Sequence, residues 1–175
     1  FAEANVFSDS SGSYANLYER QVKGMGALAA TVAGFATQAD AQTQDVSFNK
    51  FVSTDPPYFD NIGYADLSDF FYVWLRHCLK PAFPGLLSTI SVPKAEELVA
   101  TPARHGGKAK AEEFFMNGMT AAMQRLSDLA HPSAPVTIFY AFKQSESEDE
   151  ESVSSSGWET FLESVLAAGM QVSGT

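Results

Sequence analysis

The residues best suited to chemistry lie in the run Thr54-Asp55-Pro56-Pro57-Tyr58. The Asp55 carboxylate and the Pro56 carbonyl oxygen are hydrogen-bond acceptors, and Tyr58 offers a flat face on which a nucleic-acid base can stack. Acceptors placed on the hydrogens of an exocyclic amino group make its nitrogen more nucleophilic, because they oppose delocalisation of the lone pair into the ring. These residue types therefore suit a reaction at the amino group of an aromatic base.

A strand is expected to bring this run into place. Residues 48–54 predict a buried strand, which the two prolines end because proline cannot donate to a sheet ladder. Asp55 is held extended because a residue before proline is pushed away from the α region. The result is a stiff loop at the carboxyl end of a strand, where open α/β sheets bind ligands. Taken alone, the four residues 55–58 also fit an ordinary strand-ending turn.

Strands and helices alternate along the chain, which predicts an α/β fold. The run 136–142 is apolar throughout, so both of its faces are expected to be covered, as in a parallel sheet. We therefore predict one domain over residues 1–175, with a mostly parallel sheet flanked by helices, and with Ser13 capping the first helix. The predicted helices cover residues 14–30, 67–79, 111–130 and 158–168, and the predicted strands cover residues 32–38, 48–54, 136–142 and 171–175. The third helix is expected to carry an apolar stripe of Phe115, Met119, Ala122, Leu126 and Leu129. The fourth is expected to turn Phe161, Leu162, Val165 and Leu166 inward and to stop at Gly169.

The second predicted helix is apolar on most sides, so it is expected to be largely buried or to form an interface. Asp66 or Ser68 is its expected N-cap. Its aromatic cluster could stack on nucleic acid, but helical spacing favours a place in the core, and Cys78 is expected to be buried with it. The cluster consists of Phe70, Phe71, Tyr72 and Trp74.

The net charge of −10 argues against a complete DNA-binding surface, because proteins that grip nucleic acid usually show a basic footprint. Part of the negative charge lies in residues 145–156, an acidic serine-rich run predicted to be a solvated loop. The basic cluster of the chain contains Arg104, Lys108 and Lys110. These side chains either contact phosphates or are solvated in a loop beside two glycines, and the sequence leaves both alternatives open.

Composition excludes several classes of protein. No apolar run is long enough to span a bilayer, and no leader indicates export. The single cysteine, Cys78, excludes an internal disulfide framework and fits a reducing cytoplasm. Cys78 and the histidines do not show metal-ligand spacing, so no metal site is expected.

The motif Asp55-Pro56-Pro57-Tyr58 resembles that of adenine-specific DNA methyltransferases that use S-adenosylmethionine. The wider run 53–76 is similar to large bacterial DNA methylases of the DUF1156 type, and so are residues 92–98, 140–144 and 157–160. The resemblance extends over nearly the whole chain, and the long run is its most specific part. It implies a partial Rossmann-like class I methyltransferase sheet.

By this resemblance, Asp55 and Pro56 hold the target amino group, Pro57 completes the catalytic motif, and Tyr58 stacks on the base of a DNA substrate. The resemblance also implies that Asp40, with Ala41, lies near the adenine ring of S-adenosylmethionine, and that Asp55 borders the same cofactor site. Asp40 is alternatively an ordinary turn residue that satisfies its own backbone.

The glycine-rich cofactor loop of the family has no counterpart here, because Gly24, Gly26 and Gly34 lie on or beside a helix and Gly106-Gly107 follows no strand. We therefore expect a C-terminal catalytic portion of a longer methyltransferase, inactive alone and able to self-associate through uncovered strand edges and apolar faces. Two alternatives stay open. One is methylation of the cytosine amino group, and the other is a non-catalytic nucleic-acid-binding or interaction module on the same fold.

Overall fold

The computed structural model describes residues 7–28, 32–60, 62–141 and 148–175, with residues 148–156 described by their backbone alone. The chain splits into two compact units, Phe1–Gln38 and Ala39–Thr175. The sequence predicted a single domain. The elements in chain order are α1 (Tyr14–Ala27), β1 (Ser53–Thr54), α2 (Tyr64–Leu79), α3 (Pro102–His105), α4 (Lys108–Leu129), β2 (Thr137–Ile138) and α5 (Glu148–Ala167).

The first unit contains α1, which begins where the sequence predicted. Ser13 is its N-cap, and the Ser13 side-chain oxygen accepts a hydrogen bond from the Asn16 N–H at 3.4 Å. This bond satisfies one of the donors that the first helical turn leaves without an intrahelical partner. The strand predicted over residues 32–38 is wrong, because the described backbone there pairs with no strand. Residues 29–31, around the predicted helix end, lie outside the described residues.

The second unit contains β1 and β2, which form a parallel two-stranded sheet. The register pairs Ser53 with Thr137 and Thr54 with Ile138. Helices and a parallel sheet within one unit agree with the α/β class. These two strands are the whole sheet in the part of the chain that the structure describes, so the larger Rossmann-like sheet stays a prediction.

The strands of the structure are shorter than the predicted ones. Residues 46–49 form a turn in which Asn49 has a left-handed φ of 55°, so only Ser53–Thr54 of the predicted strand 48–54 is paired. Residues 171–175 form no strand, because within the described ranges no neighbouring strand pairs with them. Phe142, the predicted end of the 136–142 strand, lies outside the described residues.

The prediction that both faces of the 136–142 strand are covered is wrong. Val136, Ile138 and Tyr140 are half-buried, whereas Thr137 and Phe139 are exposed. This period of two is typical of a strand with one covered face. The covered face packs on the core, which Ile138 and Tyr140 both contact.

The core lies mainly between α4 and α5. The stripe predicted on α4 is confirmed, because Phe115, Met119 and Ala122 are buried. Phe161 of α5 is buried as predicted, but Leu166 is exposed rather than inward. After α5, Gly169 has a φ of 76° and ends the helix as expected. The core cluster consists of Phe59, Ala100, Ala111, Phe115, Met119, Met123, Phe161, Val165 and Ala168.

α5 begins at Glu148, so the backbone of residues 148–156 is helical where the sequence predicted an acidic loop. Acidic residues are favourable in a first helical turn because the helix macrodipole is positive there, and a serine-rich run is only mildly unfavourable for a helix. Residues 145–147, and Lys143-Gln144 before them, lie outside the described residues.

α2 is bound through its polar face. The Asp69 carboxylate pairs with Lys94 at 2.5 Å, and this hydrogen bond is the main cause that lowers the pKa of Asp69. One turn later, the Tyr72 hydroxyl donates to the Thr89 carbonyl at 3.0 Å, and Arg76 Nε donates to the same oxygen at 2.7 Å. These side chains hold the segment before α3 along the helix.

The opposite face of α2 is apolar and exposed, so the prediction of a core position for its aromatic cluster is wrong for the described residues. Trp74 is 66% exposed, and Cys78 is exposed rather than buried. Polar contacts bind the other side of the helix, which turns the apolar side outward. The exposed apolar face of α2 consists of Leu67, Phe70, Phe71 and Trp74. Across the described ranges, no helix has the length and apolar character needed to cross a membrane.

Candidate active site

The Asp-Pro-Pro-Tyr loop leaves β1 at the carboxyl end of the parallel pair. The Phe139 N–H donates to the Thr54 carbonyl at 2.8 Å, at the point where the loop begins. Because β1 and β2 run in the same direction, the residues after Ile138 emerge beside those after Thr54. Asp55 is exposed at this edge, whereas Pro56 is buried. The loop therefore follows a strand, as the sequence predicted.

Asp55 and Tyr58 interact within the loop. Hydrogen bonding to Asp55 raises the pKa of the Tyr58 phenol above its ordinary value of 10.0, and burial and the charge of Asp55 raise it further. The phenol is therefore protonated at neutral pH and donates, while the carboxylate accepts. This pairing holds a carboxylate next to a half-buried aromatic ring.

An aromatic cluster supports the loop. The Tyr58 and Tyr140 rings meet edge-to-face, with centroids 5.4 Å apart and planes at 79°. The Tyr140 ring stacks on Phe161 at 3.8 Å with planes at 7°, and the Trp158 centroid lies 5.9 Å from Tyr140. Burial raises the pKa of Tyr140, so its hydroxyl is protonated at neutral pH. We call Tyr58, Tyr140, Trp158 and Phe161 the aromatic cluster.

Phe59 anchors the loop to the core. Its N–H donates to the Tyr140 hydroxyl at 3.0 Å, and its carbonyl accepts from the Ala100 N–H at 2.7 Å. The Phe59 ring is 6% exposed and meets Phe115 edge-to-face at 5.1 Å. A Cβ on Gly157 would lie 3.1 Å from Phe59 Cδ1, so the missing side chain lets α5 approach closely. The loop is thereby fixed on the side that follows Tyr58.

Glu97 caps the start of α2, which follows the loop. The N-cap residue, Gly63, has no side chain to offer, and Glu97 Oε1 instead accepts from the Ala65 N–H at 2.7 Å. The predicted caps Asp66 and Ser68 are wrong, because both lie inside the helix. A carboxylate from a distant segment therefore satisfies a donor that the first turn leaves open.

Arg104 is held between two carboxylates. It pairs with Glu97 at 2.5 Å and also with Asp66. The hydrogen bonds that Arg104 donates to Glu97 and then to Asp66 raise its pKa, against the opposing effect of burial. Arg104 lies in α3 rather than in the predicted loop, and its charge is largely compensated by these partners. Its role in binding nucleic acid stays a prediction.

Lys108 and Lys110 lie in the first turn of α4, where the sequence predicted a loop. Both are exposed, and Lys108 lies 3.9 Å from Glu112, a loose contact between exposed side chains. Gly106 has a φ of 73° and Gly107 a φ of 126°, so the chain turns sharply between α3 and α4 through conformations that favour glycine. The two lysines remain available to solvent.

Asp40 forms a turn with its own backbone. Its Oδ1 accepts from the Gln42 N–H at 2.9 Å, and its carbonyl accepts from the Gln44 N–H at 2.9 Å. This geometry is what the turn alternative expects. Asp40 and Ala41 are both exposed, and their role at a cofactor stays a prediction.

The described residues do not fit a complete S-adenosylmethionine site. By the family resemblance, the methionine part of that cofactor needs a glycine-rich loop after a strand. In the described ranges, Pro56-Pro57 follow β1 and Phe139-Tyr140 follow β2. Gly106 and Gly169, two glycines with positive φ, follow helices instead. Neither strand of the described residues is therefore followed by a glycine-rich loop of this kind.

A groove of about 500 Å³ lies beside β2 and is not part of the loop surface. Tyr140, Trp158 and Phe161 line it together with residues 170–175, and neither Asp55 nor Tyr58 does. Among residues that the structure describes, no group of three or more histidine, cysteine or acidic side chains could hold a metal ion.

Two residues of the site, Tyr140 and Glu97, were missed from the sequence. The period of two shared by Val136, Ile138 and Tyr140 is the signal that could have placed Tyr140 on the covered face. No local sequence pattern marks Glu97 as a cap, because the N–H that it accepts belongs to Ala65, 32 positions earlier in the chain.

The assembled loop presents a carboxylate and an aromatic ring at an exposed sheet edge, with both backbone groups of Phe59 tied to the core. Such an arrangement is able to accept hydrogen bonds from an amino group and to stack on a planar ring. Comparison of the chain with family models, with curated proteins and with solved structures finds no significant match.

Proposed function

We propose that this chain holds an adenine of DNA at the Asp-Pro-Pro-Tyr loop for methylation of its exocyclic amino group, with S-adenosylmethionine as the methyl donor. The observation that supports this best is the placement of the exposed Asp55 carboxylate and the half-buried Tyr58 ring on one loop that Phe59 anchors. Both chemical groups are presented together at the carboxyl edge of a parallel strand pair, where ligands bind in α/β sheets.

In this proposal, Asp55 accepts one hydrogen of the amino group and the Pro56 carbonyl accepts the other. The nitrogen then becomes more nucleophilic, and its position is fixed for attack. A base removed from the duplex stacks on Tyr58, a contact worth about 1–3 kcal/mol. When bound, S-adenosylmethionine would supply the methyl group and leave as S-adenosylhomocysteine, and the methylated nitrogen would release one proton to solvent.

The DNA backbone is proposed to contact Lys108 and Lys110. Both are exposed in the first turn of α4, where the positive end of the helix macrodipole also favours phosphate. Arg104 would contribute less, because Glu97 and Asp66 already bind it. A small basic patch of this kind positions DNA without reading its sequence.

The proposal is tested by transfer of a tritiated methyl group from S-adenosylmethionine to DNA, using the longest natural protein that includes this chain. We expect N6-methyladenine in the digested product. N4-methylcytosine would establish the cytosine alternative, and the absence of any labelled base would contradict the proposed reaction. For these 175 residues alone we expect no transfer, because the described part lacks a glycine-rich cofactor loop.

A second candidate function, a non-catalytic interaction module, is favoured by the exposed apolar face of α2. Contiguous apolar surface of this kind marks interaction sites. A second copy of this chain would cover it by pairing the same face on both partners. Sedimentation equilibrium should show a dimer that Phe70→Ser with Trp74→Ser abolishes, whereas Leu166→Ser, which removes an exposed apolar side chain of α5, leaves it intact. A monomer at all concentrations would exclude self-association through this face.

A further inference from the structure

Tyr140 contacts the candidate catalytic loop twice, at adjacent residues. Its hydroxyl accepts the Phe59 N–H at 3.0 Å, which fixes the peptide that joins Tyr58 to Phe59. Its ring meets the Tyr58 ring edge-to-face, with centroids 5.4 Å apart. One side chain therefore constrains both the backbone and the ring of the residue on which a base is proposed to stack.

Tyr140 is itself firmly held. Its ring stacks on Phe161 with planes at 7°, and Trp158 lies beside both rings, with its centroid 6.0 Å from that of Phe161. Phe161 is 3% exposed and belongs to the core. Rotation of the Tyr140 ring would break the stack as well as the hydrogen bond to Phe59. α5 and the core thus hold Tyr140 in place, and Tyr140 in turn holds the loop at Phe59.

A stacking ring is more effective when its orientation is set before the ligand arrives, because side-chain ordering on binding opposes affinity. Tyr58 is a half-buried loop residue, and its ring lies edge-to-face against that of Tyr140. We propose that Tyr140 is a positioning residue of the site, which orients the Tyr58 ring and the Tyr58–Phe59 peptide for the substrate base. This inference rests on the proposed function for its effect on the reaction.

The structural part of the proposal is tested without any activity, by amide hydrogen exchange followed by NMR. Tyr140→Phe keeps the ring stack but removes the hydroxyl acceptor, so exchange at the Phe59 amide should rise about fivefold, the effect of one hydrogen bond. Tyr140→Leu also removes the ring, so the chemical shifts of the Tyr58 ring protons should move. Unchanged Phe59 exchange in Tyr140→Phe would overturn the proposal.

The functional part is tested by methylation kinetics with the longest natural protein that includes the chain. Tyr140→Phe should raise KM for DNA roughly fivefold with little change in kcat, because base capture rather than methyl transfer is affected. Tyr140→Leu should lower kcat/KM by a further ~2- to 10-fold through loss of the aromatic contact. If Tyr140→Phe keeps more of the wild-type kcat/KM than Tyr140→Leu does, the effect is one of positioning and not of a general loss of packing.

Tyr72→Phe is the matched control. It removes a tyrosine hydroxyl that also bonds a backbone group, the Thr89 carbonyl at 3.0 Å, away from the loop. Tyr72→Phe should leave KM for DNA and Phe59 exchange unchanged, and an equal rise in KM would overturn the role of Tyr140. Failure of the wild-type protein to methylate DNA would instead count against the proposed function, while Phe59 exchange still decides whether Tyr140 positions the loop.

Discussion

The Tyr140 hydroxyl accepts the backbone N–H of Phe59 at 3.0 Å and so joins two residues 81 positions apart in the chain. The parallel register of β1 and β2 explains this contact, because it brings the segments that follow both strands to one edge. Tyr140, which follows β2, thereby stabilises the loop that follows β1. The candidate site depends on this pairing as much as on the motif itself.

The titration of Tyr58 tests its pairing with Asp55. The hydrogen bond needs the phenol proton, so its contribution to stability is complete below the ordinary pKa of 10.0 and is lost as pH rises through the higher folded pKa. Asp55→Asn removes the negative acceptor, so the pKa of Tyr58 should fall towards its ordinary value. Phenolate absorbance, assigned to Tyr58 by subtracting the Tyr58→Phe titration, measures this. An equal pKa with and without the Asp55 charge would show that the two side chains do not interact.

Gly118 tests the packing of α4. A Cβ there would lie 2.2 Å from Leu98 Cδ2, so Gly118→Ala requires Leu98 to move within a buried site. Overpacking outweighs the gain in helix propensity, and unfolding in urea should show a loss of about 1–2 kcal/mol. Gly24→Ala is the control, because nothing beyond the neighbouring residues and the backbone of the same helix lies within 4 Å of the added carbon, so no destabilisation is expected. An unchanged free energy of unfolding in Gly118→Ala, with Leu98 left as it is, would contradict the close approach of Leu98 to Gly118.

Glu97 tests the cap of α2. Glu97→Ala removes the acceptor of the Ala65 N–H and one partner of Arg104, both partly buried, so the free energy of unfolding should fall by about 2–3 kcal/mol. Glu97→Gln keeps an acceptor for the Ala65 N–H, so its free energy of unfolding should fall by less than that of Glu97→Ala. Glu112→Ala, which removes only an exposed contact to Lys108, should change stability by less than about 0.5 kcal/mol. Equal effects of the Glu97 and Glu112 substitutions would contradict this cap.

Lys108 and Lys110 test the proposed phosphate contacts. Their joint replacement by alanine should weaken DNA binding similarly for all sequences and reduce the salt dependence of binding by about one unit per lysine. Lys80→Ala, which alters an exposed lysine at the end of α2, is the charge-matched control for a single site and should have little effect. Fluorescence anisotropy at several salt concentrations measures both quantities. An unchanged salt slope would remove the two lysines from the DNA contact.

Local features of the fold could be predicted from the sequence. The Ser13 cap, the buried stripe of α4 and the stop at Gly169 each depend on neighbouring residues, and all three are confirmed. The position of Asp55-Pro56-Pro57-Tyr58 after a strand was predictable for the same reason, since proline acts on its immediate backbone.

Features that depend on distant partners could not be predicted in this way. Glu97 replaces the local caps Asp66 and Ser68, because a carboxylate from another segment reaches the first turn of α2. The aromatic side of α2 was expected in the core, but contacts of Asp69 and Tyr72 turn its polar side inward within the described residues. Helical periodicity identifies an apolar face and does not say what covers it.

The most direct test of the central claim is methylation by Asp55→Ala in the longest natural protein that includes this chain, compared with Asp60→Ala at an exposed neighbouring carboxylate. Loss of an ionised acceptor costs about 1.5–3 kcal/mol, so the rate of N6-methyladenine formation should fall about 10- to 100-fold in Asp55→Ala. The rate in Asp60→Ala should stay near that of the wild type. Wild-type methylation by a folded Asp55→Ala protein would contradict the role of this loop in holding the amino group.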